Sequence, residues 1–228
     1  GAVNAGSGDV SLISGAAITD AAADANTNIS GGDVRIAAAG PVGASGTGAL
    51  DLAAASLSVD AVGALYLVES NDLILASFGT DYGRVSDAAA LDNTLGDAAL
   101  VDGGGLGVGA RAGSSLELSS GGALTVSDNV TAVDSSSLSV TGALLVNADV
   151  VITGAAKILD IDSQSVSMSQ GTTLQTANGA MRIAADNTAD GTGNLSLERI
   201  DAGTAAVALV AKGAITDLDA GSLITASA

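Results

Sequence analysis

Residues Leu116–Val146 read LELSSGGALTVSDNVTAVDSSSLSVTGALLV, and their aliphatic residues come in pairs separated by one intervening residue. Such pairs recur about every seven to eight residues along much of the chain, usually after Gly, Ser, Asn or Asp. Side chains alternate between the two sides of a β-strand, so each pair gives a short strand one apolar side. The pattern therefore predicts a series of short strands separated by turns, and not helices.

The pairs form two runs along the sequence. The first comprises Leu50/Leu52, Leu57/Val59, Leu65/Leu67 and Leu73/Leu75, and the second Leu116/Leu118, Leu124/Val126, Leu138/Val140, Leu144/Val146, Val150/Ile152, Ile158/Ile161 and Val166/Met168. Ile158/Ile161 differs from the others in having two intervening residues.

A strand of about three to five residues cannot bury its own apolar side, and needs similar strands above and below it. Stacking the strands into coils supplies these neighbours. The sequence therefore predicts an all-β fold, a parallel β-helix or β-solenoid, with about three short strands per coil. Coils of about 20–25 residues would give roughly nine to eleven coils in the whole chain. A β-sandwich from an array of repeated domains is the alternative fold.

The domain prediction is one continuous solenoid over residues 1–228, as a segment of a longer exported protein. An irregular stretch or lateral insertion is expected at about 77–114, where the pairs stop and a short helix over 86–100 is one interpretation. Doubled gaps between pairs predict longer loops at Asp20–Ser30 and Gly40–Gly48.

The chain also repeats itself at longer range. Residues Val10–Asp20 match Val207–Asp217 without a gap, and Ser56–Val59 recurs as Ser137–Val140. Repetition at several scales indicates growth by duplication, which is typical of repeat arrays and rare in ordinary enzymes.

The composition excludes several functional classes. The chain has 31 Gly but one Pro, and its 47% hydrophobic content is too high for a disordered protein. Its net charge of −18 disfavours nucleic acid and anionic membranes as partners. It has neither Cys, for disulfides, nor His, the usual general base. No apolar run approaches the ~18 residues of a membrane span, so membrane insertion is not expected.

A family resemblance rests on two sequence segments, GDVSLISGAAIT at Gly8–Thr19 and GGALTVSDNV at Gly121–Val130. They resemble the degenerate repeats of large bacterial exoproteins, in particular filamentous-haemagglutinin-like adhesins. The resemblance covers nearly the whole chain except about Ser77–Ser114. It implies a right-handed parallel β-helix, export to the bacterial cell surface or beyond, and a role in adhesion or fibre building.

The expected function is a structural segment of a giant secreted surface protein, forming an adhesive rod or extracellular filament by end-to-end stacking. Its expected partners are copies of itself or adjoining repeats, and host, cell-surface or matrix glycans. The alternative is a carbohydrate-binding or carbohydrate-active β-helix, since polysaccharide lyases and hydrolases share this architecture.

No catalytic or cofactor-binding residues are predicted, and an enzyme is not expected. Asp160/Asp162 beside Lys157, and Asp217/Asp219, could present paired carboxylates. A sugar-binding cleft usually also has aromatic platforms, whereas this chain has only two Tyr and one Phe. We therefore interpret these aspartates as solvated strand edges and turns.

Calcium is the metal that the oxygen-rich composition favours, but no ligand set is assigned. The turns at Gly31–Asp33 and Asp102–Gly104 do not match the calcium-binding nonapeptide of other β-rolls. A structural role is predicted for Asn26, Asn147 and Asn178, which lie near turns where asparagines could stack as internal ladders.

Overall fold

The computed structural model describes residues 2–78, 106–186, 192–218 and 224–226 and shows a β-solenoid of parallel strands. This confirms the all-β parallel solenoid expected from the sequence. The only helical element in the described part is a 3-10 turn at Gly46–Gly48. The strands are β1 Val3–Asn4, β2 Val10–Ser14, β3 Ile29–Ala38, β4 Leu50–Ala61, β5 Leu65–Glu69, β6 Leu73–Leu75, β7 Ala110–Ala112, β8 Leu116–Ser120, β9 Leu124–Val126, β10 Val130–Ala132, β11 Ser136–Val140, β12 Ala143–Val146, β13 Val150–Ala155, β14 Leu159–Ser163, β15 Ser165–Met168, β16 Thr173–Ala177, β17 Met181–Ala185, β18 Leu195–Leu197, β19 Arg199–Asp201, β20 Val207–Val210, β21 Ile215–Asp217 and β22 Ile224–Thr225.

From β5 onward each strand pairs with the strand three places later in the chain, so three strands make one coil. The coil therefore has three faces. Face 1 is formed by β5, β8, β11, β14, β17 and β20, face 2 by β6, β9, β12, β15, β18 and β21, and face 3 by β7, β10, β13, β16, β19 and β22.

The number of turns follows from one column of stacked inward residues on face 3. The column contains Leu12, Ile36, Val59, Ala110, Val130, Val150, Leu174, Ile200 and Ile224, each paired with the next.

These residues mark about eight turns, or a rod about 40 Å long at ~4.8 Å per turn. The expected nine to eleven coils were too many, because one turn of the column takes up far more than the predicted length of about 20–25 residues. Successive members of the column are 20 residues apart between Ala110 and Val150, but 24 or 26 apart after Val150. The step between Val59 and Ala110 is 51 residues.

The first coils are built differently from the later ones. Strand β4 pairs through its beginning with β5, through its middle with β6 and through its end with β7, so it runs past two corners without a turn. The expected longer loops are present on face 1. One loop separates Ile18 from Ile29, and the other runs from Val42 to Leu50 and includes the 3-10 turn.

Residues 79–105, with the helix suggested for 86–100, lie outside the described part, so the predicted insertion stays a prediction. The regular coil has resumed by β7, which pairs with β4 below and β10 above. The Gly107 N–H donates a hydrogen bond to Ser77 Oγ at 2.8 Å. The described residues on the two sides of this gap therefore meet at the corner between faces 2 and 3.

The core is a narrow spine of aliphatic side chains. Inward residues such as Leu65, Leu124, Leu144 and Ile183 are fully buried, and each such side chain contributes about 1.5–3 kcal/mol. Serines near the corners are also buried, and their hydroxyls satisfy backbone carbonyls: Ser163 Oγ, for example, donates to the Ser165 carbonyl at 3.0 Å. The spine thus excludes water without leaving these hydroxyls unpaired.

Corner glycines allow adjacent coils to approach closely, and Gly113 provides the clearest test. A Cβ atom at Gly113 would overlap the carbonyl oxygen of Val62 in the coil below. We expect Gly113→Ala to lower the free energy of unfolding by about 1–3 kcal/mol, the usual cost of overpacking. Gly15→Ala is the matched control, because a Cβ there meets no atom within 4 Å. Urea unfolding followed by circular dichroism measures both; equal effects would contradict this account of the corner.

Candidate functional surfaces of the solenoid

The paired carboxylates Asp160 and Asp162 lie on the outer side of face 1 and are bound by Arg182 of the next coil. Arg182 Nη1 is 2.7 Å from Asp160 Oδ1, and Nη2 is 3.1 Å from Asp162 Oδ2. The hydrogen bond from the guanidinium to Asp160 is the main cause that raises the pKa of Arg182, and the hydrogen bond to Asp162 is the second. Both carboxylates are therefore bound by one guanidinium between coils instead of forming an open acid–base pair.

Lys157, which the sequence places near this pair, contacts a different acid. Its Nζ is 2.7 Å from Asp134 Oδ1 in the preceding coil. This hydrogen bond, a second one from Ser114 and the positive charge of Lys157 together lower the pKa of Asp134. Of the second predicted pair, Asp217 lies in the described part of the chain and Asp219 lies outside it.

Inter-coil ion pairs share one direction: the carboxylate lies on one coil and the cation on the next. The pairs are Asp60–Arg111, Asp134–Lys157, Asp160–Arg182, Asp162–Arg182 and Asp186–Lys212. In the Asp134–Lys157 and Asp160–Arg182 pairs both partners are about half exposed, so each contributes little stability, on the order of 0–1 kcal/mol. Their main effect is to favour one alignment of successive coils.

A second inter-coil contact recurs at strand starts, where an Asn or Asp side chain accepts a hydrogen bond from a backbone N–H of the next coil. Asn129 Oδ1 accepts from the Asp149 N–H at 3.2 Å, and Asp149 Oδ1 accepts from the Thr173 N–H at 2.8 Å. The same contact joins Asp9 to Asp33, Asn28 to Asp51, Asp72 to Ala123 and Asn194 to Ala214. We call this set the Asx ladder.

The predicted asparagine stacks differ from this arrangement. Asn178 Oδ1 accepts from Thr204 of the next coil, and Asn147 Oδ1 accepts from Ser169 Oγ at 2.6 Å, so neither bonds another asparagine. The predicted stacking is also wrong for Asn26, which is exposed in a loop where its backbone N–H donates to Asp24. The aspartates of the Asx ladder were not predicted from the sequence, because an Asp before a strand is equally common in an ordinary solvated turn.

The Asx ladder can be tested at Asp149. We expect Asp149→Ala to lower the free energy of unfolding by about 1–2 kcal/mol, because the Thr173 N–H loses its acceptor. Asp149→Asn keeps an acceptor oxygen and should retain most of that stability. Urea unfolding measures the free energy of unfolding of both variants. If the two variants were equally destabilised, the hydrogen bond of the Asx ladder would have no energetic role.

Glu69 is a buried carboxylate at the corner between faces 1 and 2, with 1% of its surface exposed. Its Oε2 accepts from the Ala54 N–H at 2.9 Å, and its Oε1 accepts from the Asn71 N–H at 3.0 Å. Burial raises the pKa of Glu69, and the hydrogen bonds from Ala54, Asn71 and Ser70 offset part of that rise. The carboxylate joins two coils and is closed to a ligand.

Glu69 predicts a pH dependence of stability. Because its folded-state pKa is raised, the folded chain binds more protons than the unfolded chain between the ordinary and the raised pKa. The contribution of Glu69 to the free energy of unfolding therefore increases as pH falls from about 7 toward about 4. The Glu69→Gln variant has no titrating group at this position, so it lacks this pH-dependent contribution.

Urea unfolding of wild type and Glu69→Gln across that range measures the effect. The difference in unfolding free energy between the two proteins should shift in favour of wild type on acidification. Asp20 and Asp134, whose pKa values are lowered, act in both proteins and cancel in the difference. A difference that stays constant with pH would contradict the buried state of Glu69.

The loop after Ile18 gathers acidic residues at the N-terminal end. Burial is the main cause that raises the pKa of Asp51, and the negative charges of Asp20 and Asp24 raise it further. Desolvation acts on Asp20 in the same direction, but hydrogen bonds from Ala22, Asn28 and Asp24 outweigh it and lower the pKa of Asp20. These aspartates bond mainly to their own loop.

No group of three or more carboxylates in the described residues is arranged to hold a metal ion. Of the two turns examined for calcium, Gly31–Asp33 lies inside β3, where the Asp33 N–H donates to Asp9. Asp102–Gly104 lies outside the described part. The structure therefore adds no ligand set to the calcium hypothesis.

The two ends of the described solenoid expose residues of the inward columns. Ile215 and Ile224 are 49% and 37% exposed, whereas Leu195 and Ile200, one coil earlier in the same columns, are fully buried. Within the described part, β20, β21 and β22 each pair along one edge, and so does β2 at the other end. Each end therefore presents open strand edges beside apolar side chains.

Comparisons with protein-family models, curated proteins and solved structures give no match to this chain. No helix in the described residues has the length and hydropathy needed to cross a membrane.

Proposed function

We propose that this chain is a structural shaft segment of a large secreted surface protein, which forms an adhesive rod or extracellular filament by end-to-end stacking. The observation that carries the proposal is the uninterrupted apolar spine, which ends at both described ends in exposed apolar residues and open strand edges. A shaft of this kind holds surface groups at a fixed spacing along its length and bears load through its inter-coil hydrogen bonds.

The chemistry of the surface supports a structural role. The carboxylates that could have formed a reaction centre are bound to arginine or lysine of the next coil, or to backbone N–H groups. The side chains that point outward in β9, β12, β15, β18 and β21 are Thr125, Leu145, Ser167, Ser196 and Thr216. This uncharged row of side chains is available for contact with surface glycans or matrix.

End-to-end stacking follows from the physics of a parallel solenoid. An open strand edge can pair with another strand. Burying the exposed aliphatic side chains at the end of each column is also favourable in free energy. A second copy, or adjoining repeats, would extend each column by one more level, about 4.8 Å further along the axis. The proposed partner is thus chemically the same as the shaft itself.

The stacking proposal predicts that a charge in the last coil blocks assembly. We expect Ile215→Lys to abolish concentration-dependent self-association in sedimentation velocity, because a charge would be buried at the junction. Ile74→Lys is the matched control: Ile74 is 41% exposed against 49% for Ile215, but it points outward from the middle of the shaft. Self-association that survives Ile215→Lys, or is lost equally in Ile74→Lys, would contradict end-to-end stacking.

Location is tested separately from stacking. Antibodies raised against this chain should label intact, unpermeabilised cells of the source organism or its extracellular material. Label that appears only after permeabilisation would overturn the surface role, whatever the outcome of the sedimentation experiment.

A further inference from the structure

The corner after β16 contains the dipeptide Asn178–Gly179, and the fold constrains both positions. Asn178 has a φ of +60°, a left-handed conformation that Asn adopts more readily than most residues. A Cβ atom at Gly179 would overlap the carbonyl oxygen of Lys157 in the coil below. The close stacking of coils therefore requires glycine directly after this asparagine.

An Asn–Gly sequence is chemically labile. The backbone nitrogen of Gly179 can attack Cγ of Asn178, because glycine has no side chain to hinder the approach. The new N–Cγ bond closes a five-membered succinimide, the Cγ–Nδ2 bond breaks, and ammonia leaves with the proton from the Gly179 nitrogen. Water then opens the ring at either carbonyl and leaves aspartate or isoaspartate, with a mass gain of about one dalton.

The next coil holds the reacting side chain in place. Asn178 Oδ1 accepts hydrogen bonds from the Thr204 N–H at 3.0 Å and from Thr204 Oγ1 at 3.1 Å. Gly203, at φ +58°, leaves room for this side chain, because a Cβ there would overlap Asn178 Oδ1. Asn178 is exposed to solvent while Gly179 is buried, so water reaches the amide but the attacking nitrogen is confined.

We infer that Asn178 is a site of spontaneous deamidation, and that its rate is controlled by the coil carrying Thr204. While that coil is docked, Oδ1 is held and the Asn178 side chain cannot turn toward the Gly179 nitrogen. When the coil opens, the reaction proceeds. An isoaspartate then lengthens the main chain by one methylene at a corner with no spare space, so re-docking is impaired and the opening becomes permanent.

Trypsin provides a clean readout. Cleavage after Lys157 and Arg182 releases Ile158–Arg182, in which Asn178 is the only asparagine, and fragment-ion spectra distinguish a mass gain at Asn178 from one at a glutamine. Cleavage after Arg111 and Lys157 releases Ala112–Lys157, which contains Asn129 and Asn147 and serves as the internal reference. Wild type is incubated folded, and separately unfolded in urea, at mildly alkaline pH before digestion and mass spectrometry.

We expect the mass gain to appear first in Ile158–Arg182, and several times faster in urea than in the folded protein. Thr204→Ala should accelerate it in the folded protein, because Oδ1 loses one of its two donors. Thr216→Ala is the matched control, since Thr216 lies in the same outermost coil but bonds Ser196 and Leu195 instead. The inference is overturned if the reference peptide reacts first, if folding does not slow the reaction, or if the two threonine variants behave alike.

Discussion

The structure depends on one constraint: each coil must lie on the preceding one so that parallel strands pair and the inward side chains form unbroken columns. A shift of one residue along a strand would turn its apolar side outward. The column from Leu12 to Ile224 keeps its alignment although the steps between its members differ in length. Strand pairing is therefore conserved from coil to coil, and differences in coil length are absorbed at corners and in loops.

The polar groups serve the same constraint. Asn and Asp at strand starts accept backbone N–H groups of the next coil, the arginine or lysine of one coil binds the carboxylates of the coil before it, and Glu69 joins two coils through Ala54 and Asn71. Each contact is modest in energy, but each is satisfied only in one alignment. This accounts for an acidic chain in which carboxylates are frequent but largely occupied by structural contacts. Glycine meets the complementary steric demand at corners, and at Gly179 that demand creates a labile dipeptide.

Much of the architecture could be predicted from the sequence, because spaced aliphatic pairs separated by turn residues have few ways to bury themselves. The strands, the parallel stacking, the loops after Ile18 and Val42 and the scarcity of helix follow from that pattern. The number of turns did not follow, since the number of residues per turn varies from 20 to 26 and reaches 51 between Val59 and Ala110. The contacts made by outward side chains could not be predicted. Asp160 and Asp162 resemble an open pair in the sequence, and nothing local shows that Arg182, about 20 residues away, lies beside them.

The sequence by itself determined that short strands stack around an aliphatic spine, because alternation within each strand is a local property of the backbone. Only the tertiary structure decided which face each strand occupies. Val10–Asp20 and Val207–Asp217 are near copies, yet Val10 and Leu12 enter the columns of faces 2 and 3 whereas Val207 and Leu209 lie on face 1. The physical reason is that all three faces require the same alternation of buried and outward residues. An aliphatic pair therefore does not indicate which face its strand will occupy. The position of a strand, and hence its partners across the coils, is fixed only by the accumulated length of every corner and loop before it.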